Sequence, residues 1–323
     1  MNTPSDRAMN PRKPWWRWPA LLLGLGLLGL ISIYWFRPGW LLDADFARQR
    51  WQAGLSRAEL DVGVQHWVYV EGGQGDPVLL VHGLAGSKEN WYPTARLLSP
   101  NYHLLIPDLP GFGESPDAAD GHYQVDAQVE RLHAFVTAKG WTRFHLAGHS
   151  MGGHIAGLYA AKYPESVRSL SLVNAAGVPF PRNAFQAELE QGGNPFAATD
   201  LQSLDRFLAM AFAKPPFAPA RVRAAYAERI AARAPLWRGV LRQLITEDQR
   251  YRLQTELPNI KAPTLVLWCD QDALLDVLST EVFRAEMPTA TINVLKGCGH
   301  MTPMEAPTDT AAAMRAIFAT AAP

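Results

Sequence analysis

Cysteine is nearly absent. The 323-residue chain has two, Cys269 and Cys298, too few for a disulfide scaffold or a four-ligand zinc site. No HExxH, CxxC or P-loop string occurs, which removes the common metal and nucleotide readings. Neither sign of charge prevails: thirty basic and thirty acidic residues cancel. The chain therefore has no electrostatic footprint for nucleic acid, and none is expected as a partner. Internal repeats are missing, and the only low-complexity tract is a Leu/Gly run near the N-terminus. What remains, 48% hydrophobic and 19% charged residues, is the composition of a globular protein of one large or two small domains.

The Leu/Gly run breaks the soluble pattern. Residues 18–36, WPALLLGLGLLGLISIYWF, carry no charge. As a helix they reach about 28 Å, close to the roughly 30 Å hydrocarbon core of a bilayer. Trp15, Trp16 and Trp18 stand at one end, and Tyr34, Trp35 and Trp40 near the other, where amphipathic rings meet membrane interfaces. Tyr34, Trp35, Phe36 and Arg37 stand where a cleaved leader would end in small residues, so an uncleaved single-pass anchor is expected. A basic segment (1–17) precedes it and a connector (37–56), with room for a short helix, follows. Arg7, Arg12, Lys13 and Arg17 precede the span, against Arg37, Arg48 and Arg50 after it. That slight excess favours an N-terminus inside and the bulk of the chain outside the cytoplasm.

From residue 57 the pattern changes. Stretches 57–62 and 65–71 alternate as two strands around the Asp61-Val62-Gly63 turn. Short apolar runs follow at 78–82, 103–107, 144–148 and 169–174, separated by helix-length segments at 90–98, 124–139 and 151–163. Strands alternating with helices predict an α/β fold with a mostly parallel sheet. Runs such as VLLV suit strands buried on both faces. The alternation stops at Gly177. Residues 178–257 carry helical stripes, one through Leu201, Leu204, Phe207, Leu208, Ala211 and Phe212, another through Leu236, Trp237, Val240, Leu241, Leu244 and Ile245. Strand signals return at 264–268 and 291–295, and 304–320 reads as a closing helix. An α/β core (57–177 and 258–323) thus carries a helical insertion, placed over the strand carboxyl ends where open α/β sheets bind ligands.

The chemistry concentrates at GHSMGG, residues 148–153, which follows the strand FHLAG and precedes a helix. This is G-x-S-x-G in the strand–turn–helix setting that the motif requires. The glycines permit a turn tight enough to expose Ser150 Oγ at a helix N-terminus, where the macrodipole favours negative charge. A serine nucleophile needs a base that is oriented by a third group. His300, on the glycine-flanked loop after the last strand, is the expected base. Asp270 and Asp272 compete for the acid at the end of TLVLW, with Asp276 a distant third; Asp272, four residues past Trp268, is the choice. Oxyanion donors are expected from the backbone N–H groups of Met151 and Leu84, the latter in the loop HGLAGS. Leu84 and Met151 side chains would then line an apolar acyl pocket. His82 reads as a strut beneath that loop, His154 as a packed helix residue, and His149 as turned away. Asp108 and Ser115 tie the loop DLPGFGES. Cys269 and Cys298 follow strands that are candidate neighbours, yet free buried thiols are the expectation. No metal and no cofactor are implied.

In the order HGLAGS, DLPGFGES, GHSMGG, WCDQD, GCGHMTPMEAP, these motifs resemble the α/β-hydrolase fold superfamily. NWYPTARLLSPNYHLLIPDLPG and FHLAGHSMGGHIAGLYAAKYPESVRSLSLVNAAG are similar to the membrane-anchored monoacylglycerol lipases of the α/β-hydrolase-domain type and to bacterial cold-active lipases. The likeness covers about residues 60–320. Cys269 departs from it, since a glycine is usual after that tryptophan. The resemblance implies a mostly parallel eight-stranded sheet and hydrolysis of monoacylglycerols or similar lipid esters by a serine triad. It places nucleophile, acid and base on Ser150, Asp272 and His300, and the oxyanion hole on Leu84 and Met151. No cofactor and no obligate protein partner are implied, and the partners expected are a lipid ester and the bilayer. The expected setting is a bacterial inner membrane with the catalytic part on the periplasmic side. Non-lipolytic esterases and C–C bond hydrolases share this fold, as would a non-catalytic adaptor. Met-Thr-Pro after His300 lacks the aromatic associated with the C–C branch. Serine at 150 lacks the carboxylate that epoxide hydrolases and dehalogenases need.

Overall fold

The computed structural model describes residues 17–321; the basic segment 1–16, with Trp15 and Trp16, lies outside them. The apolar runs form β1 (Leu55–Val62), β2 (Gln65–Gly72), β3 (Asp76–Val81), β4 (Tyr102–Pro107), β5 (Phe144–His149), β6 (Val167–Val173), β7 (Thr264–Cys269) and β8 (Thr291–Leu295). They make one eight-stranded sheet in the order β1-β2-β4-β3-β5-β6-β7-β8. The β1–β2 hairpin and the β2–β4 pair are antiparallel. Every pairing from β4 to β8 is parallel. The mostly parallel α/β sheet read from the sequence is therefore the one observed.

Successive side chains of a strand face opposite ways, so the sheet has two cores. Leu79 and Val81 pack in one with Phe135 of α4 (Val125–Ala138) and Ile155 of α5 (Met151–Lys162). Val78 and Leu80 pack in the other with Ala95 and Leu98 of α3 (Tyr92–Leu98) and Met314 of α13 (Pro307–Phe318). Every residue of β5 and of β7 is buried. The closing helix begins earlier than expected, as α12 (Thr302–Glu305), and is interrupted before Pro307, whose ring removes a backbone donor. The eight-residue α11 (Ser279–Glu286) was not anticipated; it is too short to show a sustained helical period.

Five helices stand between β6 and β7: α6 (Ala184–Glu190), α7 (Leu201–Ala211), α8 (Ala220–Leu244), α9 (Glu247–Arg250) and α10 (Arg252–Glu256). The first apolar stripe is α7, opened by an Asp200–Ser203 capping box. The second is the latter half of α8, a helix that carries Pro235 in its interior.

At the N-terminus, α1 (Arg17–Phe36) leads into α2 (Pro38–Gln52). The connector thus holds a helix of 15 residues rather than a short one. Leu21, Leu22, Leu23, Leu27 and Leu28 of α1 are all exposed. The expected single-helix span is not shown: among the described residues no single helix is long and apolar enough to cross a membrane. Leu21–Phe36 reaches that length and composition only together with Pro38–Gln52, and the two are bent by 112°. Both helices are tied to α8. Arg221 donates to the Trp35 carbonyl oxygen at 3.1 Å and stacks on its ring at 3.9 Å. Arg229 grips Asp43 with two bonds of 2.7 and 2.8 Å.

Trp67 of β2 is buried and stacks on Phe135 with ring centroids 4.6 Å apart. Trp67→Ala is expected to cost about 3–5 kcal/mol, read as a lower urea midpoint at unchanged slope.

Candidate active site

β5 runs into α5 through Ser150, whose φ of 57° and ψ of −121° lie in a region that side chains rarely adopt. The surroundings hold it there. Ser150 N donates to Val173 O (3.0 Å), while Ser150 O accepts from Gly153 N (2.9 Å), His154 N (3.1 Å) and Ala176 N (3.0 Å). A Cβ at Gly148 would run into the Gly152 carbonyl, and one at Gly152 into the carbonyls of Val81 and His82. Only glycine lets strand, turn and helix close this tightly. The result is a serine at the N-terminus of a 12-residue helix, at the carboxyl end of a central strand.

His300 and Asp272 meet at the same end of the sheet, and His300 lines the same cavities as Ser150. His300 Nδ1 lies 2.8 Å from Asp272 Oδ2, and both side chains are almost wholly buried. The carboxylate is held on every side. Oδ1 accepts from Leu274 N and Leu275 N, each at 2.9 Å, and Oδ2 accepts from Asn174 Nδ2 at 2.7 Å. The other acid candidates do different work. Asp270 accepts from Gly297 N at 2.8 Å and faces Lys296 at 3.6 Å; Asp276 accepts from Leu278 N at 2.8 Å.

Two residues of this cluster escaped the sequence reading. Asn174, buried at φ 44° just after β6, holds Asp272. Its sequence signal was only an Asn at a strand end, which usually means a turn. His149 is not turned away: its ring lies 4.8 Å from that of His300, and its Nε2 donates to the His300 carbonyl oxygen at 2.8 Å.

The loop 82–87 packs against the serine: a Cβ on Gly83 would meet Ser150 Cβ. His82 supports it from below. Its Nδ1 donates to Gly83 O (2.8 Å) and its Nε2 accepts from Leu109 N (3.0 Å). Asp108 supports the loop's far end, where Oδ1 accepts from Lys88 N (2.7 Å) and Oδ2 from Lys88 Nζ (2.6 Å) and Glu114 N (2.8 Å). Ser115 Oγ donates to Asp108 O (2.8 Å), so that glycine-rich segment is a structural brace. Burial opposes the Lys88 ammonium, yet Asp108 and Glu89 outweigh it and hold its pKa above the ordinary lysine value. Burial and the neighbouring Glu89 push the Asp108 carboxyl up, against the pull of the Lys88 ammonium 2.6 Å away.

Two cavities converge on Ser150, Leu84 and His300. The smaller, about 100 Å³, is walled by Met151, Phe180, Phe185, Leu189, Leu244 and Ile245. The larger, about 280 Å³, runs between α7 and α2, past Phe207, Leu208, Leu42 and Phe46. Leu84 and Met151 thus face one apolar chamber beside the serine, with walls drawn largely from the helices between β6 and β7.

The cysteines correct an expectation. Cys269 and Cys298 are not free thiols but form a disulfide. β7 and β8 are adjacent, which sets their carboxyl-end loops side by side. In the chain-entropy account, closing a loop of 29 residues stabilises the fold by about 3–4 kcal/mol.

Comparison with known proteins identifies the family and its relatives. The family described as alpha/beta hydrolase fold matches residues 76–307. Lipase 1 of Psychrobacter immobilis is 36% identical over 250 residues, covering 76% of this chain and 78% of that protein. Monoacylglycerol lipase abhd6-A of Xenopus laevis is 31% identical, covering 73% of each chain. The crystal structure of a membrane phospholipase A, described as a bacterial virulence factor, superposes with a TM-score of 0.84 at 38% identity, covering 94% of this chain and 98% of that one.

Burial pulls four histidines down, His82 and His145 to about 4 and His149 and His154 to about 3. Each is neutral in the folded state and titrates near 6.5 when unfolded. Their stabilisation is complete above pH 6.5 and is lost as pH falls toward the folded values. At pH 5 each is expected to cost about 2 kcal/mol. The unfolding free energy in urea should therefore drop by several kcal/mol between pH 7.5 and 5; a flat profile would contradict neutral burial.

Proposed function

The chain belongs to the α/β-hydrolase family, and on that footing we propose that it is a membrane-associated serine hydrolase cleaving carboxylic esters of lipids, monoacylglycerols foremost. The observation that carries this reading is the convergence of a strained serine, a carboxylate-held histidine and an apolar chamber at one strand end. Ser150 Oγ attacks the ester carbonyl as His300 Nε2 takes its proton. Asp272 Oδ2, 2.8 Å from His300 Nδ1, fixes the tautomer and stabilises the imidazolium without itself being protonated. The oxyanion sits on the N–H groups of Leu84 and Met151, each contributing about 3 kcal/mol to the transition state. His300 then returns the proton to the leaving alcohol, and water releases the fatty acid from the acyl-enzyme by the same steps reversed. Every step uses the chain's own groups.

Substrate class follows from the chambers. Phe180, Phe185, Leu189 and Ile245 wall the smaller one, which takes the acyl chain, and the helices 178–257 act as a lid over it. The larger chamber is bounded by Leu42 and Phe46 of α2, directly after the exposed leucines of α1. That order suits an ester delivered from lipid, and the membrane phospholipase relative and the monoacylglycerol lipases support the same reading.

Ser150→Ala is expected to lower kcat on the order of 10³- to 10⁶-fold. Across monoacylglycerols and p-nitrophenyl esters of graded length, turnover should hold through octanoate and beyond. Activity that peaks at acetate and vanishes by octanoate would overturn the lipid assignment in favour of a non-lipolytic esterase. Asn174→Ala removes a charge-assisted bond to Asp272, so kcat should fall about 10- to 100-fold with KM little changed. An unchanged kcat would show that Asp272 is oriented without it.

A further inference from the structure

The disulfide lies at an unexpected place for a staple. Cys269 is three residues before Asp272 and Cys298 two before His300, so it joins the loop of the acid to the loop of the base. The two loops differ in support. β7 is buried throughout. β8 is the edge strand of the sheet, with no fully buried residue, and the base loop continues from it through Gly297 and Gly299. The noncovalent stitches between the loops are Gln271 N to Cys298 O at 3.1 Å, Asp270 N to Leu295 O at 3.0 Å, Gly297 N to Asp270 Oδ1 at 2.8 Å and the His300 Nδ1–Asp272 Oδ2 bond itself at 2.8 Å. Gly299 N also donates to Glu305 Oε2 at 2.7 Å and Met301 N to Ala211 O at 3.0 Å, and the disulfide is the covalent tie among them. The Asp270–Lys296 pair is long and solvent-facing, and such pairs add little. The sulfur also joins the network behind the site. Thr302 Oγ1 lies 2.9 Å from Cys269 Sγ and 2.5 Å from Asn174 Oδ1, and Asn174 Nδ2 holds Asp272.

We propose that the Cys269–Cys298 disulfide is a positioning crosslink, transferring the rigidity of buried β7 to the glycine-flanked His300 loop, and that the folded domain therefore resides in an oxidising compartment. The inference rests on the triad reading above. Forming the bond removes two protons and two electrons from two thiols, which a disulfide-bearing oxidoreductase accepts by becoming a dithiol. Such bonds persist outside the reducing cytosol. The domain then lies across the membrane from the cytoplasm, a placement independent of the arginine and lysine count around α1.

The test uses the full chain in detergent micelles with p-nitrophenyl butyrate. In Cys269→Ser/Cys298→Ser, kcat at 20 °C should fall about 10- to 100-fold with KM nearly unchanged. A variant that only melts earlier, with kcat and KM intact at 20 °C, overturns the positioning role. If the variant does not fold, the wild-type protein is titrated with dithiothreitol. Activity should fall about 10- to 100-fold in step with the appearance of two alkylatable thiols and return on reoxidation by glutathione disulfide; two free thiols with full activity overturn the proposal. In acid-quenched cells, maleimide labelling should find both cysteines blocked, and both free would overturn the compartment assignment. A wild-type protein without esterase activity defeats the hydrolase reading instead.

Discussion

The structure depends on one constraint, the left-handed backbone of Ser150. A non-glycine residue there costs on the order of 1–3 kcal/mol and persists only where the surroundings over-determine it. Here three amides converge on the Ser150 carbonyl and its own amide is tied to β6. The close approach of β3, β5 and α5, which glycine at 148 and 152 alone permits, leaves the turn no room to relax. The strain aims one hydroxyl into a cavity at a helix N-terminus. Parallel order then gathers the remaining parts, because β3, β6, β7 and β8 all deliver their following loops to the same end of the sheet.

The Asp272–His300 pair is built in the opposite way, from many weak restraints rather than one strained residue. Asp272 is surrounded by four donors, so its charge is compensated despite burial. His300 is held by Asp272 on one side and by His149 through its carbonyl on the other. The neutral histidines His82 and His149 act as struts, donating and accepting without carrying charge.

Legibility followed locality. The G-x-S-x-G turn, the apolar strands and the glycine-flanked loop that carries His300 were readable because each is a short-range signal: a steric demand, a period, a breaker. Asp272 was chosen over Asp270 by its distance from the strand end, and the folded chain sets Asp272 against His300 while Asp270 closes the neighbouring turn. Asn174, His149 and the disulfide were missed for a common reason. Their meaning lies in partners 98, 151 and 29 residues away in the chain, and nothing beside them in sequence marks the encounter. The N-terminal run was legible as apolar, and Pro38 marks the break that takes Arg37 out of the helix, but the 112° angle of the bend and the arginine ties to α8 are tertiary facts with no local signature.

The central claim is that Ser150 is a nucleophile whose developing oxyanion meets two waiting amides. The most direct measurement is the crystal structure of the protein after reaction with an alkyl fluorophosphonate. The account predicts a single phosphonate on Ser150 Oγ, its phosphoryl oxygen about 2.7–3.1 Å from Leu84 N and Met151 N, and its alkyl chain in the chamber walled by Phe180 and Phe185. An unreacted Ser150, or an adduct whose oxygen points away from both amides, would contradict it.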